Sequence, residues 1–221
     1  MKAMKILALA TLVVSVATVS AQNIAAAMFH QTEKVFWVVS GDGAKFAKFD
    51  LGTKSWSAVD VAKSFAPGMP FDAIGGLMYH PNENNYWVLS KDGSQFAKFD
   101  LATKSWSKVF KSAQFAPKCP FTNLSSFAFN GNENIFYVFS KDGSQFAKFT
   151  LATKSWSEIF AIKDFAPGNP IAAAGAVMYH PTEDNYWLFS ADGSQFAKYS
   201  IPGKAWTKVF KAKDFAPKFP L

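Results

Sequence analysis

Three histidines occur in the chain, His30, His80 and His180, and a glutamate follows each one three residues later, at Glu33, Glu83 and Glu183. Asn130 and Glu133 fill the same register between the second and third of them. Three imidazoles related by rotation about one axis could share a transition metal, for which neutral imidazole is a good ligand. A local role competes with that chemistry. His80-Pro81 and His180-Pro181 read as strand ends entering a turn, and a ring of turn residues spreads wider than bonds of about 2 Å can bridge. The residues favour the turn role over a metal on His30, His80 and His180. Asp42, Asp92, Asp142 and Asp192 recur too, each before a glycine, and Asp-Gly supplies the two positive-φ residues of a type I′ hairpin. No repeat adds a lone acid, base or nucleophile, and an active site usually needs several different groups converging. The chain is expected not to be an enzyme.

The elements that must position these residues repeat with a period of 50. Tyr86–Phe110, Phe136–Phe160 and Tyr186–Phe210 align without a gap, and Phe36–Val59 keeps the phase. In the second copy, Ala73–Tyr79 is an apolar strand with small residues at its centre, followed by the turn cluster His80–Asn84. Tyr86–Leu89 is strongly β-prone, Gln95–Asp100 returns after Asp92-Gly93, and Trp106–Phe110 makes a fourth strand. Lys111–Pro120 connects to the next copy. Strands apolar on both faces must be covered on both, as happens when blades stack. The prediction is an all-β, four-bladed β-propeller with four antiparallel strands per repeat, its blades spanning about 22–70, 71–120, 121–170 and 171–221. The aromatics recurring at Trp37/Trp87/Tyr137/Trp187, Phe46/Phe96/Phe146/Phe196 and Trp56/Trp106/Trp156/Trp206 read as blade-to-blade core rather than as a sugar platform.

Each first strand carries a small doublet: Ala25-Ala26, Gly75-Gly76, Ser125-Ser126 and Gly175-Ala176. Small residues are needed where backbones approach closely, as innermost strands do around a narrow axial tunnel.

Residues 1–21 read as a secretory signal peptide. Lys2 and Lys5 precede an apolar run from Ile6 to Val19, too short to span a bilayer, and Val19-Ser20-Ala21 offers a cleavage site. The remaining 22–221 form the propeller. The expected location is secreted or extracellular, or periplasmic in a Gram-negative host, with no membrane span. Cys119 is the single cysteine, so no intramolecular disulfide is available; it reads as a buried thiol or as a link to a second chain. All 23 cationic side chains are lysines and the formal charge is +7. Without arginine the bidentate readout of bases and phosphates is lost, so specific nucleic-acid binding is not expected. Lysines recurring at Lys48/Lys98/Lys148/Lys198 and Lys54/Lys104/Lys154/Lys204 read as a solvated surface.

The connectors Phe65-Ala66-Pro67-Gly68, Phe115-Ala116-Pro117-Lys118, Phe165-Ala166-Pro167-Gly168 and Phe215-Ala216-Pro217-Lys218, with the opening Phe71-Asp72-Ala73, resemble the blades of hemopexin-like domains. Ile24–Ala27 and Ile171–Ala174 match the small residues of that opening without its Asp. A weaker resemblance is to kelch propellers, through the spacing Phe99 to Trp106 and its equivalents; a kelch-like reading would need two chains to complete a ring. The hemopexin-like resemblance implies a non-enzymatic scaffold holding an ion on its axis and an unidentified small ligand, polymer or protein on its rim. Backbone carbonyls at Ala25, Gly75, Ser125 and Gly175 are the candidate ion ligands, with calcium or sodium favoured by oxygen donors. The alternative function is a structural, self-assembling extracellular protein, and a homo-oligomer fits either reading.

Overall fold

The computed structural model describes residues 23–221; the signal-peptide expectation lies outside them. Each repeat forms one antiparallel sheet. In the second, Ile74–His80 is innermost, followed outward by Asn85–Ser90 and Gln95–Asp100. The outer strand is split: Ser105–Trp106 and Phe110–Lys111 both pair with Gln95–Asp100. The sequence suggested one strand over Trp106–Phe110. It breaks after Trp106, where Ser107 closes on Lys98 through both its backbone N–H and its Oγ, which accepts from the Lys98 N–H. The inner strands of the other sheets are Ile24–His30, Leu124–Asn130 and Ala174–His180. Each packs against the next, and Ile24–His30 packs against Ala174–His180. The four sheets form a four-bladed β-propeller that closes within one chain.

The blades are stitched near the axis. The amides of Ile74, Leu124, Ala174 and Ile24 donate to the carbonyls of Gly43, Gly93, Gly143 and Gly193 at 2.8–2.9 Å. Those glycines are the third residues of the loops between second and third strands, and this corrects the expected turn. Among the Asp-Gly pairs only the glycine has positive φ, from 70° at Gly143 to 76° at Gly43, so the turn is not type I′. The loop spans four residues, with the Gly43 N–H donating to the Ser40 carbonyl at 2.7 Å. Asp42 accepts from Ser40 Oγ at 2.6 Å and from the Ala44 N–H at 2.9 Å. These bonds hold its carboxyl below the usual range. Glycine is required because a Cβ at Gly93 would lie 1.8 Å from the Leu124 carbonyl of the next blade.

Aromatic burial supplies the rest. The seam between first and last blades joins Ile24, Phe29, Phe36 and Phe49 to Trp187, Phe189, Phe215 and Phe219. Trp56 Nε1 donates to the Pro217 carbonyl at 2.9 Å, as Trp106 does to Pro67 and Trp156 to Pro117. The ring therefore closes by the contacts that join its other blades. Cys119 is free and partly buried, and burial pushes its thiol pKa up. Three of the eight recurring lysines are more than a solvated surface: Lys48, Lys98 and Lys198 place Nζ 3.6–4.0 Å from the ring centroids of Trp37, Trp87 and Trp187. Among the described residues no helix is long and apolar enough to cross a membrane.

Candidate functional site

The inner strands line an axial channel with a waist and two recesses. At the waist Ala27, Met28, Leu77, Met78, Phe127 and Val177 leave about 20 Å³, room for about one water. This section is thus lined largely by full-sized residues. The small doublets lie nearer one end, where the register slips between Ile24 and Ala26 and at the three equivalent positions. Ala25, Gly75, Ser125 and Gly175 are the extra residues of these β-bulges.

At the far end of the inner strands stand the histidines. His30 Nδ1 accepts from the Glu33 N–H at 3.1 Å, and His80 and His180 do the same for Glu83 and Glu183 at 3.2 Å. Each imidazole also stacks on the aromatic residue beside it in the ring: His30 on Tyr79, His80 on Phe129 and His180 on Phe29, with centroids 4.0–4.2 Å apart. Asn130 copies the turn contact by accepting from the Glu133 N–H at 3.3 Å. Burial lowers the pKa of all three histidines. With Nδ1 accepting, the proton of the neutral ring sits on Nε2. The three rings serve three separate turns, and among the described residues no three His, Cys, Asp or Glu side chains group as a metal site.

Above these stacks, Phe29, Tyr79, Phe129 and Tyr179 floor a cup of about 280 Å³, walled by Pro81, Pro181 and Gly131. Gln31, Asn82 and Asn132 add amides, and no charged side chain lines it. Asn132 Nδ2 donates to Tyr179 Oη at 2.7 Å, and Tyr179 Oη donates to Asp184 at 2.7 Å. Burial and Asp184 raise the Tyr179 pKa, so the phenol stays protonated. The sequence reading missed this cup. Its signal was the alternation Phe29, Tyr79, Phe129, Tyr179, one residue before each His or Asn.

At the opposite end the structure brings Ala25, Gly75, Ser125 and Gly175 together in a recess of about 170 Å³. Lys91, Lys141 and Asp192 line it as well. Lys91 Nζ donates to the Gly41 carbonyl at 2.5 Å, and Lys141 Nζ donates to the Lys91 carbonyl at 2.8 Å. Burial lowers both lysine pKa values. Two ammonium groups lining the recess make it a poor site for the expected calcium or sodium, since a hard cation would meet like charge there. Positions 41, 91, 141 and 191 read Gly, Lys, Lys and Ala. That break in symmetry was visible in the sequence and was passed over because the turn itself repeats.

No protein-family model matches the chain, and no curated protein matches it. Solved structures do. A hemopexin-fold protein, CP4 from cow pea, superposes with a TM-score of 0.68 at 19% identity, over 88% of this chain and 95% of that one. A plant lectin with two metal-binding sites from Cicer arietinum gives 0.64 at 18% identity, over 90% and 99%. A plant albumin showing hemagglutination, from the same species, gives 0.63 at 16%, over 88% and 95%. The chain has the hemopexin-type four-bladed fold.

Proposed function

We propose that this protein is a secreted, non-enzymatic binding module whose aromatic cup takes a neutral, hydroxyl-bearing ligand of saccharide type. One observation carries the reading: an uncharged recess of about 280 Å³ sets amides and phenols above aromatic rings. Apolar walls with a few placed polar groups are the usual composition of small-molecule sites, and this one falls near their lower size limit of roughly 300 Å³. Two fold neighbours are described as a lectin and a hemagglutinating albumin, which supports the ligand class. Secretion rests on the leader-like residues 1–21.

Titration calorimetry against neutral mono- and disaccharides tests it. Asn132→Ala removes one amide and frees Tyr179, and binding should weaken about tenfold, the loss of one good polar contact. Saccharides that give no heat with the wild type, or bind the variant equally, would refute the site. The assembly alternative draws support from Val59, Val109, Ile159 and Val209, each 39–47% exposed in the break between the two outer-strand segments of its blade. Chromatography at rising concentration distinguishes them: a fixed elution volume favours the module, and open-ended growth favours assembly.

A further inference from the structure

The lysine-lined recess is divided in charge, and the division follows from which repeats carry a lysine. Lys91 caps the carbonyl of Gly41 in the first blade, and Lys141 caps that of Lys91 in the second. The equivalent carbonyls in the third and fourth blades belong to Lys141 and Ala191. Residues 191 and 41 would cap them, but these are alanine and glycine. Two ammonium groups therefore sit over blades one and two, while two uncapped carbonyl positions lie over blades three and four. Lys91 and Lys141 also lie beside Asp42 and Asp92 respectively. Asp192, which lines the recess, has only Gly41 at the place where the repeat would put its lysine. Ser190 and Ser194 bond to Asp192 and hold its carboxyl below the usual range, so it stays charged.

We propose that this recess binds a small zwitterion of the amino-acid type. Its carboxylate would meet Lys91 and Lys141, and its ammonium would meet Asp192 and the carbonyls of Lys141 and Ala191. An ammonium group has three donors, and each lysine spends one on a backbone carbonyl, leaving two for a ligand. A volume of about 170 Å³ admits a small amino acid and excludes a large polymer. The site is separate from the saccharide cup, with the channel waist between them, so either proposal can fail alone.

Calorimetry at low ionic strength tests the idea with glycine, β-alanine and 4-aminobutanoate, whose charges are progressively further apart. Acetate and methylammonium serve as the two half-ligands. One zwitterion should bind at least about tenfold tighter than either half-ligand, the worth of one charge-assisted contact. Lys91→Met should remove that preference. Ala191→Lys should also remove it, by capping the Lys141 carbonyl as Lys141 caps Lys91. This second variant installs a residue that two other blades already carry there, so it is expected to fold. Acetate binding as tightly as the zwitterions would reduce the recess to an anion site, and methylammonium doing so would reduce it to a cation site. Either result overturns the proposal, as does an absence of binding, or binding that neither variant changes.

Discussion

The two ends of the channel are built by the same four strands yet have opposite chemistry. Where the inner strands finish, three histidines and an asparagine each close their own turn, and the three imidazoles stack on a ring neighbour. Where they begin, the fold repeats faithfully but the side chains at 41, 91, 141 and 191 do not. Repetition in a propeller records what every blade needs in order to pack. A break in repetition under constant backbone geometry is where something other than packing has been set. The first end is thus mainly framework with a neutral cup above it, and the second is a charged recess in an invariant frame.

The largest effect expected from breaking this frame is at Gly93. Its Cβ would lie 1.8 Å from the Leu124 carbonyl, and its φ is +73°. Gly168 has the same φ of +73° but nothing within 4 Å of its Cβ. Gly168→Ala therefore isolates the strain of left-handed backbone, about 1 kcal/mol. Gly93→Ala adds a backbone clash between blades, for which overpacking of about 1–3 kcal/mol is a guide. Urea melts should place Gly93→Ala well below Gly168→Ala. Equal midpoints would mean that the stitch between blades contributes little.

Much of this frame was legible because period and composition report packing. Ungapped 50-residue copies predict the blade, and the first residues of the small doublets, Ala25, Gly75, Ser125 and Gly175, meet in one recess. The turn was misjudged for a physical reason. Asp-Gly was credited to hairpin geometry alone, whereas Gly93 is needed because a strand distant in sequence crosses it, and local rules do not register such contacts. The charged recess was hidden in another way. Lys91 lies outside the two fourfold-recurring lysine sets, and sequence cannot show that its stem reaches the carbonyl of residue 41. The cup was obscured because aromatics that recur in every blade read as core, and those at 29, 79, 129 and 179 are mostly that.

A middle-sized effect tests the framework end. Burial lowers the pKa of His30, His80 and His180 from the ordinary 6.5. The unfolded chain then binds protons more readily than the folded one below pH 6.5, so stability is full above that pH and falls as pH drops through the folded values. The carboxylates held low by their turns, such as Asp92 at about 2, act in the same direction but only below their unfolded value of 3.8. Melting temperature should therefore decline between about pH 6.5 and 5 in the wild type. The His30→Asn, His80→Asn, His180→Asn triple variant, which copies Asn130, should lose most of that slope. A slope unchanged in the triple variant would assign it to other groups.

The smallest effect lies between the two ends, where lysines cover the second-strand indoles. Lys198 Nζ stands 3.6 Å from the Trp187 centroid, whereas Lys148 stands 5.4 Å from Tyr137. A cation close over an indole contributes about 0.5–1 kcal/mol at a partly exposed site, and tyrosine at longer range contributes less. Methionine keeps the covering stem and removes the charge, so Lys198→Met should cost about 0.5 kcal/mol or more and Lys148→Met close to nothing. Only the charge differs between wild type and variant, so added salt should narrow the gap. Equal costs at the two sites would show that the stems matter and the charges do not. The lysines over the second-strand rings would then act through their stems, in contrast to Lys91 and Lys141, whose ammonium groups bond backbone carbonyls.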